Sequence, residues 1–229
     1  MSGRAGEARG TLALVGGGEW RDGCREFDAR LLESSGGTDV LVLPTAAAYE
    51  HPERAVEWAS RYFTALGAKV RGLMVLTRAD ADDEANAAAI AGARFIYLGG
   101  GSPLHLRSVL KETKAWEAID QAWHAGAVVA GSSAGAMVLC DPMVDPRGGA
   151  FTLGLGLVEQ LAIVPHHNTW PPERAHRTIQ LAARGLPIAA VDEETALIRG
   201  SDGSWRVEGA GAVAVFRDGA PAGLDALPG

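Results

Sequence analysis

Residues 127–139 read Ala-Val-Val-Ala-Gly-Ser-Ser-Ala-Gly-Ala-Met-Val-Leu. The apolar opening, Ala127 to Ala130, has the β-branched character of a strand, and Gly131-Ser132-Ser133-Ala134-Gly135 then leads into small, helix-compatible residues. This predicts a strand, a tight turn and a helix, with Ser133 at the apex. Gly131 and Gly135 stand two residues to either side of Ser133, the spacing of a nucleophile elbow. Such a turn lifts the serine hydroxyl clear of the backbone and leaves the next amide, Ala134 N–H, free to meet a developing oxyanion. Small neighbours are needed because the turn brings backbone segments close together. A Gly/Ser-rich connection that only binds an anion has the same composition, so the flanking chain must decide.

Upstream, strands repeatedly run into glycine. Residues 11–15 form an apolar strand ending in Gly16-Gly17-Gly18, and 39–43 form another, stopped at Pro44-Thr45. Residues 69–76 and 94–98 read as further strands, the latter ending in Gly99-Gly100-Gly101-Ser102-Pro103. There Ser102 suits an N-cap and Pro103 a first helical residue. Helical patterns fill the intervals at about 24–35, 52–66, 82–90 and 113–124. Strands alternating with helices of this length predict an α/β fold with a mostly parallel central sheet covered on both faces. Ligands of such sheets bind beyond the carboxyl ends of the strands, where the glycine runs, Thr45 and Ser133 converge.

Downstream, residues 161–164 end in Pro165-His166-His167-Asn168, a helix is expected over 173–184, and the strand 188–191 leads to Asp192-Glu193-Glu194. Short strands are expected over 196–199, 204–207 and 212–216. The chain reads as a single domain over 1–229, with fraying expected at 1–10 and about 218–229.

Composition narrows the function. A net charge of −7 and a pI near 5.4 argue against a nucleic-acid partner. No apolar run approaches the roughly 18 residues of a membrane span, and no secretory leader follows Met1. A cytoplasmic location is therefore expected. The glycine runs match neither a dinucleotide fingerprint nor a P-loop. Cys24 and Cys140 form no redox or metal-binding motif. Neither cofactor nor metal is expected.

A serine at such a turn needs a base. Of six histidines, His51, His105, His124 and His176 fall within or beside predicted helices, whereas His166 and His167 directly follow an apolar strand. A carboxylate should orient the imidazole. Glu193 follows the strand 188–191, with Asp192 and Glu194 as competitors. The order Ser133, His166 or His167, Glu193 differs from the Ser–acid–His order of α/β-hydrolases. An α/β-hydrolase reading could still recruit Asp141, Asp145 or Glu159. Ala134 N–H with an amide of Gly100 or Gly101 would form the oxyanion hole.

These residues resemble the dipeptidase E/cyanophycinase family of serine peptidases. The resemblance runs from Leu12 to about Phe216. It is carried by Leu14-Val15-Gly16-Gly17-Gly18-Glu19, Leu43-Pro44-Thr45-Ala46, Leu98-Gly99-Gly100-Gly101, Gly131-Ser132-Ser133-Ala134-Gly135-Ala136, Gly154-Leu155-Gly156-Leu157, Pro165-His166 and Asp192-Glu193-Glu194-Thr195-Ala196. It implies a flavodoxin-like three-layer sandwich of class I glutamine amidotransferase type and a Ser133–His166–Glu193 triad without metal. It also implies cleavage of small peptides at aspartyl or β-aspartyl residues. A cyanophycinase-like alignment would choose His167. Cyanophycinases carry Gly-Gly-Asp-Gln where this chain has Gly-Gly-Gly-Ser-Pro, and closely spaced arginines after His-Phe. Here Arg174 and Arg177, one helical turn apart, are the candidates for binding substrate. An α/β-hydrolase-type esterase and a catalytically silent small-ligand binder are the alternatives. Assembly into a homo-oligomer stays open.

Overall fold

Successive side chains of a strand point to opposite faces of its sheet, and the central strands of this chain bury both. The computed structural model describes residues 9–229 and, among these, every side chain except those of Pro172 and Arg174. Residues 1–8 of the stretch expected to fray lie outside the described residues. Strands β1 (Leu12–Val15), β2 (Asp39–Leu43), β3 (Lys69–Gly72), β4 (Phe95–Leu98) and β5 (Val128–Ser132) are joined by helices. These are α1 (Arg25–Ser35), α2 (Pro52–Thr64), α3 (Arg78–Ala81), α4 (Glu84–Ala91), α5 (Pro103–Leu110) and α6 (Lys114–His124).

Beyond the turn at Ser133 come α7 (Ala134–Leu139) and the short strands β6 (Cys140–Asp141), β7 (Met143–Val144), β8 (Phe151–Thr152), β9 (Val158–Glu159) and β10 (Ala162–Val164). Helix α8 (Pro172–Leu181) leads to β11 (Ile188–Val191), β12 (Thr195–Arg199), β13 (Trp205–Gly209), β14 (Val213–Arg217) and β15 (Ala220–Ala222).

The main sheet has the order β13-β12-β1-β5-β4-β2-β3. Strands β1 to β5 are mutually parallel, and β12 and β13 add an antiparallel edge. Strands β10, β11, β14 and β15 form a smaller mixed sheet. On one face of the main sheet Leu12, Leu14, Leu41, Leu43, Ile96, Leu98 and Val129 pack with Leu106, Ile119 and Trp123 of α5 and α6. The alternate residues, Ala13, Val15, Val40, Val42, Phe95, Tyr97, Val128 and Ala130, pack on the other face with Phe27 and Leu31 of α1 and Ala59 and Phe63 of α2. The result is the expected α/β three-layer sandwich.

Three boundaries differ from expectation. The strand expected over 69–76 stops at Gly72, and the helix expected at 82–90 is preceded by another. Thr77 and Asp80 form a reciprocal capping box that starts α3, and Asp83 then caps α4 by accepting from Asn86 N–H. The end expected to fray over 218–229 is instead structured. Strand β15 pairs with β14, residues 224–226 form a 3₁₀ turn, and Trp205 Nε1–H donates to Pro228 O at 2.7 Å. Its Gly- and Pro-containing composition conceals those backbone bonds. Among the described residues, no helix is long and apolar enough to cross a membrane.

Candidate active site

The carboxyl ends of β1, β4 and β5 lie side by side, with Val15 opposite Ser132 and Leu98 opposite Gly131. Ser133 leaves β5 with φ 48° and ψ −105°, a left-handed conformation that costs a non-glycine residue about 1–3 kcal/mol. Its N–H donates to Val15 O at 2.9 Å, which fixes the turn against β1. Small neighbours are obligatory here. A Cβ on Gly131 would lie 2.6 Å from the Gly135 carbonyl carbon, and one on Gly135 would overlap Leu98 O. The tight turn predicted at 131–135 therefore exists for the steric reason expected.

His166 Nε2 lies 2.8 Å from Ser133 Oγ, and His166 Nδ1 lies 2.8 Å from Glu193 Oε1. If Nδ1–H donates to the Glu193 carboxyl, Nε2 is left to accept the serine proton. His166 N–H donates to Gly16 O at 2.7 Å, and the imidazole lies between Gly17 and Trp170. A Cβ on Gly17 would overlap His166 Cε1, while the Trp170 ring stacks at 5.2 Å between centroids. Glu193 accepts from Thr169 Oγ1–H at 3.4 Å and has Arg21 Nη1 3.6 Å from Oε2. Its own N–H donates to Asn168 Oδ1 at 2.9 Å. His167 N–H donates to Val191 O, and the side chain has no partner among the described residues. The geometry thus joins Ser133, His166 and Glu193 and leaves His167 out of the chain.

The glycine loop after β4 departs from expectation at one position. Gly100 N–H donates to Glu19 Oε1 at 3.0 Å, and Ser132 Oγ–H donates to Glu19 Oε2 at 2.7 Å. Gly100, expected as an oxyanion donor, is therefore already engaged. Neither Gly101 N–H nor Ala134 N–H has an acceptor among the described residues. Glu19 stands in the quoted motif after β1, but its reach to Ser132 depends on β1 lying beside β5, which a linear reading does not give.

The sequence profile of Peptidase family S51 matches residues 12–205. The chain belongs to that family. It is 27% identical to a cyanophycinase of Synechococcus elongatus over 90% of this chain and 68% of that protein. A crystal structure of a peptidase from an acI-B1 Actinobacterium superposes with a TM-score of 0.83 at 32% identity, covering 93% of each chain. A putative peptidase E of Listeria monocytogenes shares the fold, with a TM-score of 0.64 at 20% identity over 92% of this chain and 99% of that one. This member of the family is accordingly a hydrolase acting on peptides.

In this family member a cleft of about 740 Å³ opens above Ser133, His166 and Glu193. Its walls carry Arg21, Arg54 and Trp58, none of which the sequence singled out. Arg54 and Trp58 come from α2, remote in sequence from every glycine run. Arg177 is exposed on α8 and does not line the cleft, and the Arg174 side chain lies outside the described residues. Arg177 is thus not brought to the cleft; among the described side chains, Arg21 and Arg54 are the arginines there. No His, Cys, Asp and Glu cluster among the described residues could hold a metal ion. Both cysteines are buried and free, and burial, with Asp28 nearby, pushes the Cys24 thiol up to about 12. Burial likewise raises Cys140. Neither thiol has the lowered pKa of a reactive cysteine.

Proposed function

We propose that the chain is a serine peptidase that cleaves small peptides next to an aspartyl or β-aspartyl residue, with Ser133 as nucleophile, His166 as base and Glu193 as the acid that orients it. The observation that carries this reading is the unbroken run of two 2.8 Å contacts from Ser133 Oγ through the imidazole to Glu193. Ser133 Oγ attacks the scissile carbonyl while His166 Nε2 takes its proton. The negative oxygen of the tetrahedral intermediate is met by the amides of Gly101 and Ala134. Collapse breaks the C–N bond, and His166 returns the proton to the departing amine. A water molecule, deprotonated by His166, then attacks the acyl-enzyme and frees Ser133. Arg21 and Arg54 supply positive charge on the cleft wall for the acidic side chain.

The test uses a fluorophosphonate probe and the dipeptide Asp-Leu. The wild-type protein should label at Ser133 and release free leucine, and Ser133→Ala should do neither while keeping its melting temperature. Turnover of Asp-Leu by Ser133→Ala would exclude this serine as nucleophile. Hydrolysis of Ala-Leu as fast as Asp-Leu would remove the acidic preference alone.

A further inference from the structure

The two amides assigned to the oxyanion sit on different loops, and their separation is not set by any single strand. Loop 99–101 is tied towards β2, through Gly99 N–H to Leu43 O at 3.2 Å and Ser102 N–H to Ala46 O at 2.8 Å. The turn at Ser133 is tied towards β1, through Ser133 N–H to Val15 O. Among the described residues, Glu19 is the side chain that bonds to both, with one carboxyl oxygen on Gly100 N–H and the other on Ser132 Oγ.

We propose that Glu19 is a positioning residue that holds the Gly101 and Ala134 amides at the spacing the oxyanion needs; this rests on the Ser133 reading above. Both partners are immediate neighbours of working groups. Gly100 precedes Gly101, and Ser132 precedes Ser133 and Ala134. Gly100 is also confined, since a Cβ there would lie 2.9 Å from Glu19 Oε1 and 3.6 Å from Ser133 Cβ. Ser132 is fully buried, so its hydroxyl has no bulk water to turn to when Glu19 is lost. The unsatisfied hydroxyl and amide then drive the two loops to rearrange. A shift of about 1 Å costs on the order of 100-fold in rate, and loss of one oxyanion donor costs a similar amount.

The test reads p-nitrophenyl acetate turnover per reactive serine, counted by the endpoint of fluorophosphonate labelling. Glu19→Ala should lower kcat about 10–100-fold with KM within about threefold. Glu19→Gln should restore kcat to within about fivefold of wild type, because its Oε1 accepts from Gly100 N–H and its Nε2–H donates to Ser132 Oγ. A purely structural role would lower the labelled fraction or the melting temperature and leave kcat per reactive serine alone. Unchanged kcat in Glu19→Ala, or no rescue by Glu19→Gln, overturns the proposal. If Glu19→Ala yields no folded protein, Ser132→Ala decides. Losing one of the two bonds should lower kcat about three- to tenfold at constant KM, and no decrease overturns the proposal. Ser133→Ala should be silent with both probes; if it still labels and turns over, the nucleophile reading fails first and this proposal with it.

Discussion

At the scale of single residues, the site depends on what three glycines allow. Gly131 and Gly135 let the backbone fold tightly enough to present Ser133. Gly17, with φ +117°, provides the floor on which the His166 ring lies. Gly17→Ala therefore tests the placement of the base without touching a proposed catalytic group. An alanine there must adopt a backbone conformation that L-residues avoid, and its methyl must push the imidazole away from Ser133. Turnover per folded molecule should fall about 100-fold or more, as expected for a displacement near 1 Å. His167→Ala, which removes a side chain outside the Ser133–His166–Glu193 contacts, should stay within about threefold of wild type, whereas His166→Ala should be inactive. Peptide hydrolysis by the three variants, normalised to folded protein by circular dichroism, checks this. An active His166→Ala beside an inactive His167→Ala would transfer the base to the neighbouring histidine.

At the scale of elements, α1 and α2 meet over a buried acid. Asp28 of α1 is fully buried, and Tyr62 of α2 donates to its Oδ2 at 2.9 Å. Burial is the main cause that raises the Asp28 carboxyl to about 8; the Tyr62 bond opposes the shift and the charge of Glu19 adds to it. In the unfolded chain an aspartate titrates near 3.9. Between those values the folded state holds one more proton than the unfolded state, so stability falls as pH rises and levels off above about 8. The slope for one proton is at most about 1.4 kcal/mol per pH unit. Asp28→Asn removes this contribution. The stability of wild type minus that of Asp28→Asn, from urea unfolding, should therefore fall by on the order of 2 kcal/mol between pH 6 and pH 8. Parallel pH curves would mean that Asp28 is ionised throughout.

The same element scale explains what the linear sequence made legible. Ser133, His166 and Glu193 were readable because each follows an apolar strand, and parallel strands deliver their ends to a common edge. Glu19, Trp170 and the cleft arginines were not, because their partners depend on strand order and helix placement. Val15 had to lie opposite Ser132 before Glu19 could reach that serine, and α2 had to flank the cleft before Arg54 could enter it. Arg177 misled for the opposite reason. It is near His166 in sequence, but α8 carries it to an exposed position away from the lining.

At the scale of the whole molecule, charge poses the remaining problem. A chain of net charge −7 repels an acidic peptide over most of its surface, so the proposed acceptance of aspartate requires a local exception. The cleft supplies one in Arg21 and Arg54, but the two are not equivalent. Arg21 already faces Glu193 Oε2 at 3.6 Å, so removing it also disturbs the acid proposed to orient His166. Arg54 has no carboxylate partner among the described residues and is the cleaner probe. It is solvent-exposed, so its pairing with a substrate carboxylate is worth about 1 kcal/mol rather than the several of a buried pair. Arg54→Met, which keeps the apolar stem, should therefore lower kcat/KM for Asp-Leu about fivefold. Cleavage of p-nitrophenyl acetate, which has no carboxylate to bind, should be unchanged. Arg177→Met should alter neither, since its side chain lies off the cleft. Kinetics of the two variants on both substrates separate the possibilities. A loss confined to Arg177→Met would return the substrate cation to α8, and equal losses on both substrates would make Arg54 a support of the site rather than a reader of charge.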